Sequence, residues 1–229
     1  MTNIAANLGL THARIAAACE RYGRETGSVG LLAVSKTVTP DALREAHAAG
    51  QRAFGENYVQ EGVSKIEALA DLRGVLEWHC IGPLQSNKTR VVAENFDWVH
   101  SIDRLKIAER LSEQRPAHLP PLQVCLQVNV DGGANKSGVA SEDVMALARA
   151  VAKLPRLQLR GLMAIPEPVP EFEAQRALFL RAATLFDQIR AEGIALDVLS
   201  LGMSADLEAA VAAGSTLVRV GTAVFGVRG

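Results

Sequence analysis

Eight short apolar, largely β-branched runs recur along the chain, and each is followed by a helix or a helical turn. They begin near Leu31, Arg52, Leu76, Phe96, Gln123, Gln158, Leu196 and Leu217, at intervals of about 20 to 38 residues. The expected strands are 31–35, 52–54, 76–81, 96–101, 123–130, 158–164, 196–201 and 217–220. Thr39-Pro40-Asp41 opens a helix that Gly50 stops, and 59–72, 86–95, 171–192 and 206–213 have helical periodicity. Asp103 and Ser141 stand where N-caps belong, the first before a helix ending ahead of Pro116 and the second before one reaching Leu154. Strict alternation implies parallel strands joined by crossover helices. Eight units favour a closed α/β barrel, a (β/α)8 TIM barrel, over an open doubly wound sheet. The first strand-to-helix turn, Ser35-Lys36-Thr37-Val38-Thr39-Pro40, also lacks the GxGxxG of a dinucleotide fold. With one extra N-terminal helix, the barrel is expected to use residues 1–229 as a single domain.

Charge narrows the function. Lys plus Arg number 24 against 25 Asp plus Glu, so no basic surface is available for bulk nucleic-acid binding. Cys19, Cys80 and Cys125 are dispersed and form no CxxC, which fits a reducing, cytoplasmic setting and no zinc site. Neither a signal peptide nor a membrane-length apolar run is present in the sequence. No metal and no membrane partner are expected.

In such a barrel, ligands meet the C-terminal ends of the strands, and phosphate commonly sits in the loops after strands seven and eight. Those loops here are Ser200-Leu201-Gly202-Met203-Ser204 and Gly221-Thr222-Ala223. Both offer small residues, hydroxyls and backbone N–H groups at a helix start; each alone is equally a simple cap. Lys36 closes the first strand, either as a solvated charge or as a Schiff-base amine. Arg219, inside Leu217-Val218-Arg219-Val220-Gly221, must be paired or hydrogen-bonded, either to a carboxylate such as Glu56 or to a ligand. His79 reads as a core histidine or a ligand contact, and Asn57 as a loop or ligand-orienting residue. Along 123–129, Val124, Leu126 and Val128 should face the helices, leaving Gln127 and Asn129 to line the inner mouth.

Taken in order, Ala33-Val34-Ser35-Lys36, Phe54-Gly55-Glu56-Asn57-Tyr58, Trp78-His79-Cys80-Ile81-Gly82-Pro83-Leu84-Gln85-Ser86-Asn87-Lys88, Gln127-Val128-Asn129, Lys136-Ser137-Gly138, Gly161-Leu162-Met163, Ser200 to Ser204 and Val218-Arg219-Val220-Gly221-Thr222 form a pattern. It resembles the pyridoxal phosphate homeostasis protein family, whose barrel is that of fold-type III pyridoxal 5′-phosphate (PLP) proteins such as alanine racemase. The resemblance runs from about Leu31 to the C-terminus. It implies PLP as a Schiff base on Lys36 and Arg219 facing the pyridine nitrogen. Ser200, Gly202, Met203, Ser204, Gly221 and Thr222 would lie around the phosphate, with Asn57 and His79 near the cofactor.

That resemblance implies a PLP carrier, serving storage, buffering or delivery to PLP-dependent apo-enzymes, with no catalytic residue. A PLP-dependent amino-acid racemase is the alternative. Racemisation needs acid/base groups on both faces of a carbanion. In alanine racemases the second is a tyrosine from an additional domain of the partner subunit, whereas this sequence holds only Tyr22 and Tyr58. The absence of that interface-forming domain from the sequence suggests a monomer. A Schiff-base aldolase or phosphosugar isomerase ranks third, because it gives no reason for an arginine inside the last strand.

Overall fold

The computed structural model describes residues 3–132 and 137–226. The chain runs α1 (Ile4–Arg21), β1 (Gly30–Val34), α2 (Pro40–Ala48), β2 (Ala53–Glu56), α3 (Val59–Ala68), β3 (Glu77–Cys80), α4 (Thr89–Asn95) and β4 (Trp98–Ile102). It continues through α5 (Leu105–Gln114), β5 (Leu122–Asn129), β6 (Val139–Ala140), α6 (Val144–Val151), β7 (Leu157–Met163) and α7 (Phe172–Ala191). The final elements are β8 (Val198–Ser200), α8 (Leu207–Ala212), β9 (Leu217–Val220) and α9 (Thr222–Phe225).

Every ring pairing is parallel. The order β1-β2-β3-β4-β5-β7-β8-β9 returns to β1, so the sheet closes as an eight-stranded barrel. The barrel expectation holds, with one strand more than the eight expected. Two-residue β6 pairs with the end of β5, through Val128↔Val139 and Asn129↔Ala140, and stays outside the ring.

Alternation along each strand divides the core into two. Val124, Leu126 and Val128 join the large apolar layer beneath the helices, while Cys125 packs inside the ring with Trp98 and Met163. Between β5 and β7 the partner of successive β5 residues jumps from Leu159 to Gly161. This bulge lets both Arg160 and Met163 reach Trp98, Arg160 by stacking its guanidinium 4.9 Å from the indole centroid. At Gly161 a Cβ would lie 1.6 Å from Val198 O, so β8 can approach only because there is none.

Among the described residues the last strand is followed only by the one-turn α9, and α1 packs against α2, α8 and α9 on that flank. Asn7 Nδ2 donates to Val224 O at 3.0 Å, and Arg14 forks onto Glu208 while Nη1 donates to Ser204 O at 2.7 Å. Thr39 caps α2, its Oγ1 accepting from Ala42 N, and Gly50 at φ +103° stops it as expected. Two expected caps are corrected. Asp103 ion-pairs with Arg104, the residue actually preceding α5, and Ser141 donates to Asn129 O while Asp143 precedes α6. Part of the Asp131-Gly132-Gly133 turn, and Lys136 of the family-like motif, lie outside the described residues.

Candidate functional site

Lys36 follows β1 on the same parity as Leu32, which faces the ring interior beside Gly55 and Ile81. It is exposed at the C-terminal rim. The backbone around it is held from α3. Lys65 Nζ donates to Ser35 O at 2.6 Å, Glu56 Oε1 at 2.9 Å and Glu61 Oε1 at 2.6 Å. Glu61 Oε1 in turn accepts from Thr37 N at 2.5 Å, and Thr37 is left-handed at φ +62°. Both peptide groups flanking Lys36 are therefore fixed by a buried charge cluster. Burial pushes the Glu56 carboxyl up, against the pull of Lys65 and the Ser35 hydroxyl bond. Glu56 thus answers Lys65, and the sequence alternative of a Glu56–Arg219 ion pair is not what forms.

Arg219 is buried at 3% exposure and, among the described residues, pairs with no carboxylate. Its Nη1 donates to Ser200 O at 2.6 Å and Ser200 Oγ at 2.8 Å, and its Nη2 to Ala164 O at 3.0 Å. Three of five N–H groups are spent, leaving Nε–H and one Nη2–H. Burial lowers its pKa to about 10, so it stays charged at neutral pH.

Asn57, Ile81, Gly82, Pro83, Gln127 and Ile165 line a cavity of about 200 Å³ at the barrel mouth, together with Ser137. Arg219 touches this region through Ala164, the residue before Ile165. Asn57 carries a buried Oδ1 with no partner, pointing to a group the chain itself does not supply. Gln127 lines the mouth as expected. Asn129 turns its Oδ1 to Asp131 N and Gly132 N. A larger hollow, about 460 Å³, lies between the 166–170 loop, Phe179 and the 203–206 loop; its lining is mostly apolar.

The two glycine-containing loops are neighbours. Arg219 N donates to Gly202 O at 3.0 Å, which joins the loop after β8 to the strand leading to Gly221. Gly202 sits at φ +88° with the site of a Cβ occupied by Ala210. Met203 and Thr222 are exposed, and Ser204 and Gly221 half-buried. Met203 N is engaged by Asp206 Oδ1 at 2.6 Å. Ser200 is fully buried, and its hydroxyl faces Arg219 and His100 rather than the loop surface.

His79 is 2% exposed, stacked on Trp98 at 5.1 Å, and does not line the mouth cavity. Its Nδ1 lies 3.0 Å from Nε2 of His100, whose Nδ1 lies 3.1 Å from Ser200 Oγ. Burial lowers both histidines, His100 well below the usual range. Sequence reasoning missed His100 and Lys65. The alternation Trp98, His100 within β4 was the available signal for the first; the i,i+4 pair Glu61–Lys65 looks like an ordinary exposed helix pair.

The ring, its rim lysine and the paired small-residue loops together define a class. The model of the alanine racemase N-terminal domain family matches residues 11–229. A Pseudomonas aeruginosa protein named pyridoxal phosphate homeostasis protein is 61% identical over 228 residues, covering 100% of this chain and 97% of its own. The Escherichia coli K12 protein of the same name is 56% identical over 230 residues, covering 100% and 98%. The solved structure of PipY of Synechococcus elongatus PCC7942, a COG0325 family member with PLP bound, superposes with a TM-score of 0.83 at 39% identity, covering 97% of this chain and 100% of that one. The chain belongs to the pyridoxal phosphate homeostasis protein family, within the alanine racemase N-terminal barrels. Among the described residues no helix is long and apolar enough to cross a membrane, and no His, Cys, Asp and Glu cluster could hold a metal.

Proposed function

We propose that this chain binds PLP at the C-terminal mouth of its barrel, as a Schiff base on Lys36, and serves intracellular PLP storage, buffering or delivery. The observation that carries the reading is Arg219. It is a buried cation with no carboxylate partner among the described residues, and two of its five N–H groups are not engaged by any of them. The likeness to PLP-bound PipY and the names of the relatives support the same ligand.

The parts fit the group. Lys36 supplies the amine, which condenses with an aldehyde and releases one water. Arg219 only donates, so a pyridine nitrogen facing it accepts and stays unprotonated. PLP supplies an electron sink, and an unprotonated ring is a poor one. Gly202, Ser204, Gly221 and Thr222 offer backbone N–H groups and hydroxyls to the phosphate, and Met203, its own N–H held by Asp206, flanks it. Asn57 orients the ligand from the mouth cavity it lines, and His79 and Ser200 act on it through Arg219. Tyr22 stacks on Phe172 outside the ring and Tyr58 is 62% exposed, so neither supplies a second acid/base group at the cavity. That favours a carrier over a racemase, with PLP-dependent apo-enzymes as recipients.

The test is a visible spectrum of the purified protein with PLP. A yellow band that borohydride bleaches and Lys36→Ala abolishes is expected; no band on adding PLP overturns the cofactor assignment. Incubation with amino acids in deuterated water then separates carrier from enzyme. Rapid Lys36-dependent exchange and inversion at Cα would overturn the carrier reading.

A further inference from the structure

The barrel interior holds a file of polar side chains that cofactor contact alone does not explain. From Arg219 Nη1 it passes to Ser200 Oγ at 2.8 Å, to His100 Nδ1 at 3.1 Å, and from His100 Nε2 to His79 Nδ1 at 3.0 Å. The far His79 nitrogen, Nε2, is buried without a hydrogen-bond partner among the described residues and lies 3.7 Å from Glu77 Oε2, a charge contact rather than a bond. Glu77 is on the N-terminal side of the ring, 59% exposed, so the file runs from the ligand end of the barrel toward the opposite solvent.

Its two ends fix its direction. Arg219 can only donate, so the Ser200 oxygen accepts from it. Among the described residues the Ser200 proton then has one acceptor in reach, His100 Nδ1; the reverse order would leave a buried hydroxyl proton without one. His100 must therefore carry its proton on Nε2 and donate to His79 Nδ1. His79 in turn carries its proton on Nε2, facing the Glu77 carboxylate, where a bare lone pair would be repelled. Hydrogen bonds set this order from the Arg219 end, and the Glu77 charge agrees with it.

We propose that His79, His100 and Ser200 form a one-directional hydrogen-bond chain of positioning residues, both histidines neutral and protonated on Nε2, that holds Arg219 in its ligand-facing orientation. Burial opposes a charge on either histidine. Arg219 adds to this at His100, while Glu77 and Asp97 pull His79 the other way without outweighing its burial. The role toward PLP rests on the function proposed above; the proton order does not.

The experiment has two arms. In the first, 15N-histidine NMR of the protein with and without added PLP reads the tautomers directly. Nε2–H forms for His79 and His100 that do not titrate between pH 6 and 8 are expected. An Nδ1–H form of His100, or its titration in that range, overturns the proposal. In the second, Ser200→Ala is compared with Ser215→Ala. The latter removes an equally buried hydroxyl that bonds only Leu199, Leu201 and Leu217 carbonyls and is no part of the file. Ser200→Ala should weaken PLP binding about fivefold and shift the pH dependence of its absorption band. If both variants behave alike, Ser200 is merely structural and the positioning role is lost. Should the wild type take up no PLP, the function proposed above falls, while the chain is still decided by the tautomers.

Discussion

Lys65→Met tests the physics of the lysine rim most sharply. All three Lys65 N–H groups are spent, on Ser35 O, Glu56 Oε1 and Glu61 Oε1. The ammonium is 6% exposed and the Glu56 carboxylate 0%. Methionine matches the length but leaves a buried carboxylate whose Oε2 already lacks a partner. Removing one member of such a pair costs about 3–5 kcal/mol. In urea that is a midpoint shift of about 1–2 M.

The pH dependence gives a second, signed check. Glu56 has its folded pKa raised above the ordinary 4.5 by burial, so its contribution to stability is lost as pH rises from there through the folded value. Without Lys65 the folded value climbs further, and the penalty at pH 7 grows. The gap between wild type and variant is therefore widest at neutral pH and narrows toward pH 5. Adding Glu56→Gln to Lys65→Met should recover most of the loss, because a wholly neutral replacement leaves no buried charge. A loss below about 1 kcal/mol at pH 7, or a gap that widens on acidification, refutes the reasoning.

Two further outcomes can be read in simple assays. Asp206→Asn keeps an acceptor for Met203 N but removes a negative charge beside the loop proposed for phosphate. PLP titration should show about threefold to fivefold tighter binding at low salt, shrinking at high salt; weaker binding would contradict the phosphate placement. Gly161→Ala drives a methyl into Val198 O and should cost about 3 kcal/mol or more by thermal denaturation. Gly9→Ala, in α1 with nothing within 4 Å, should instead gain about 0.5–1 kcal/mol.

These perturbations fall on residues of two kinds, and the division shows what one-dimensional pattern can carry. The ring was legible because its signals are local and repeated. Strand and helix alternate, β5 alternates polar with apolar, and Gly50 and Thr39 punctuate α2 where a helix must stop and start. The phosphate-loop candidates were legible by position, since they follow two strands that are neighbours in any closed barrel. The caps at Asp103 and Ser141 failed because a polar residue before a helix is a degenerate signal: each found a better partner, Arg104 and Asn129 O.

What stayed hidden depends on closure. His100 meets Ser200 across 100 residues of sequence, and no window around either contains the other. Lys65 looks like half of a solvated helix pair until Glu56 and Ser35 arrive from two neighbouring strands and remove the solvent. A polar side chain inside a barrel is costly unless closure supplies its partner. Interior polar residues are therefore placed by the register of distant strands, and Arg219 marks where that register leaves donors to spare. The sequence can nominate such an arginine as odd; only the closed ring shows that, among the described residues, Ser200 and Ala164 rather than a carboxylate answer it.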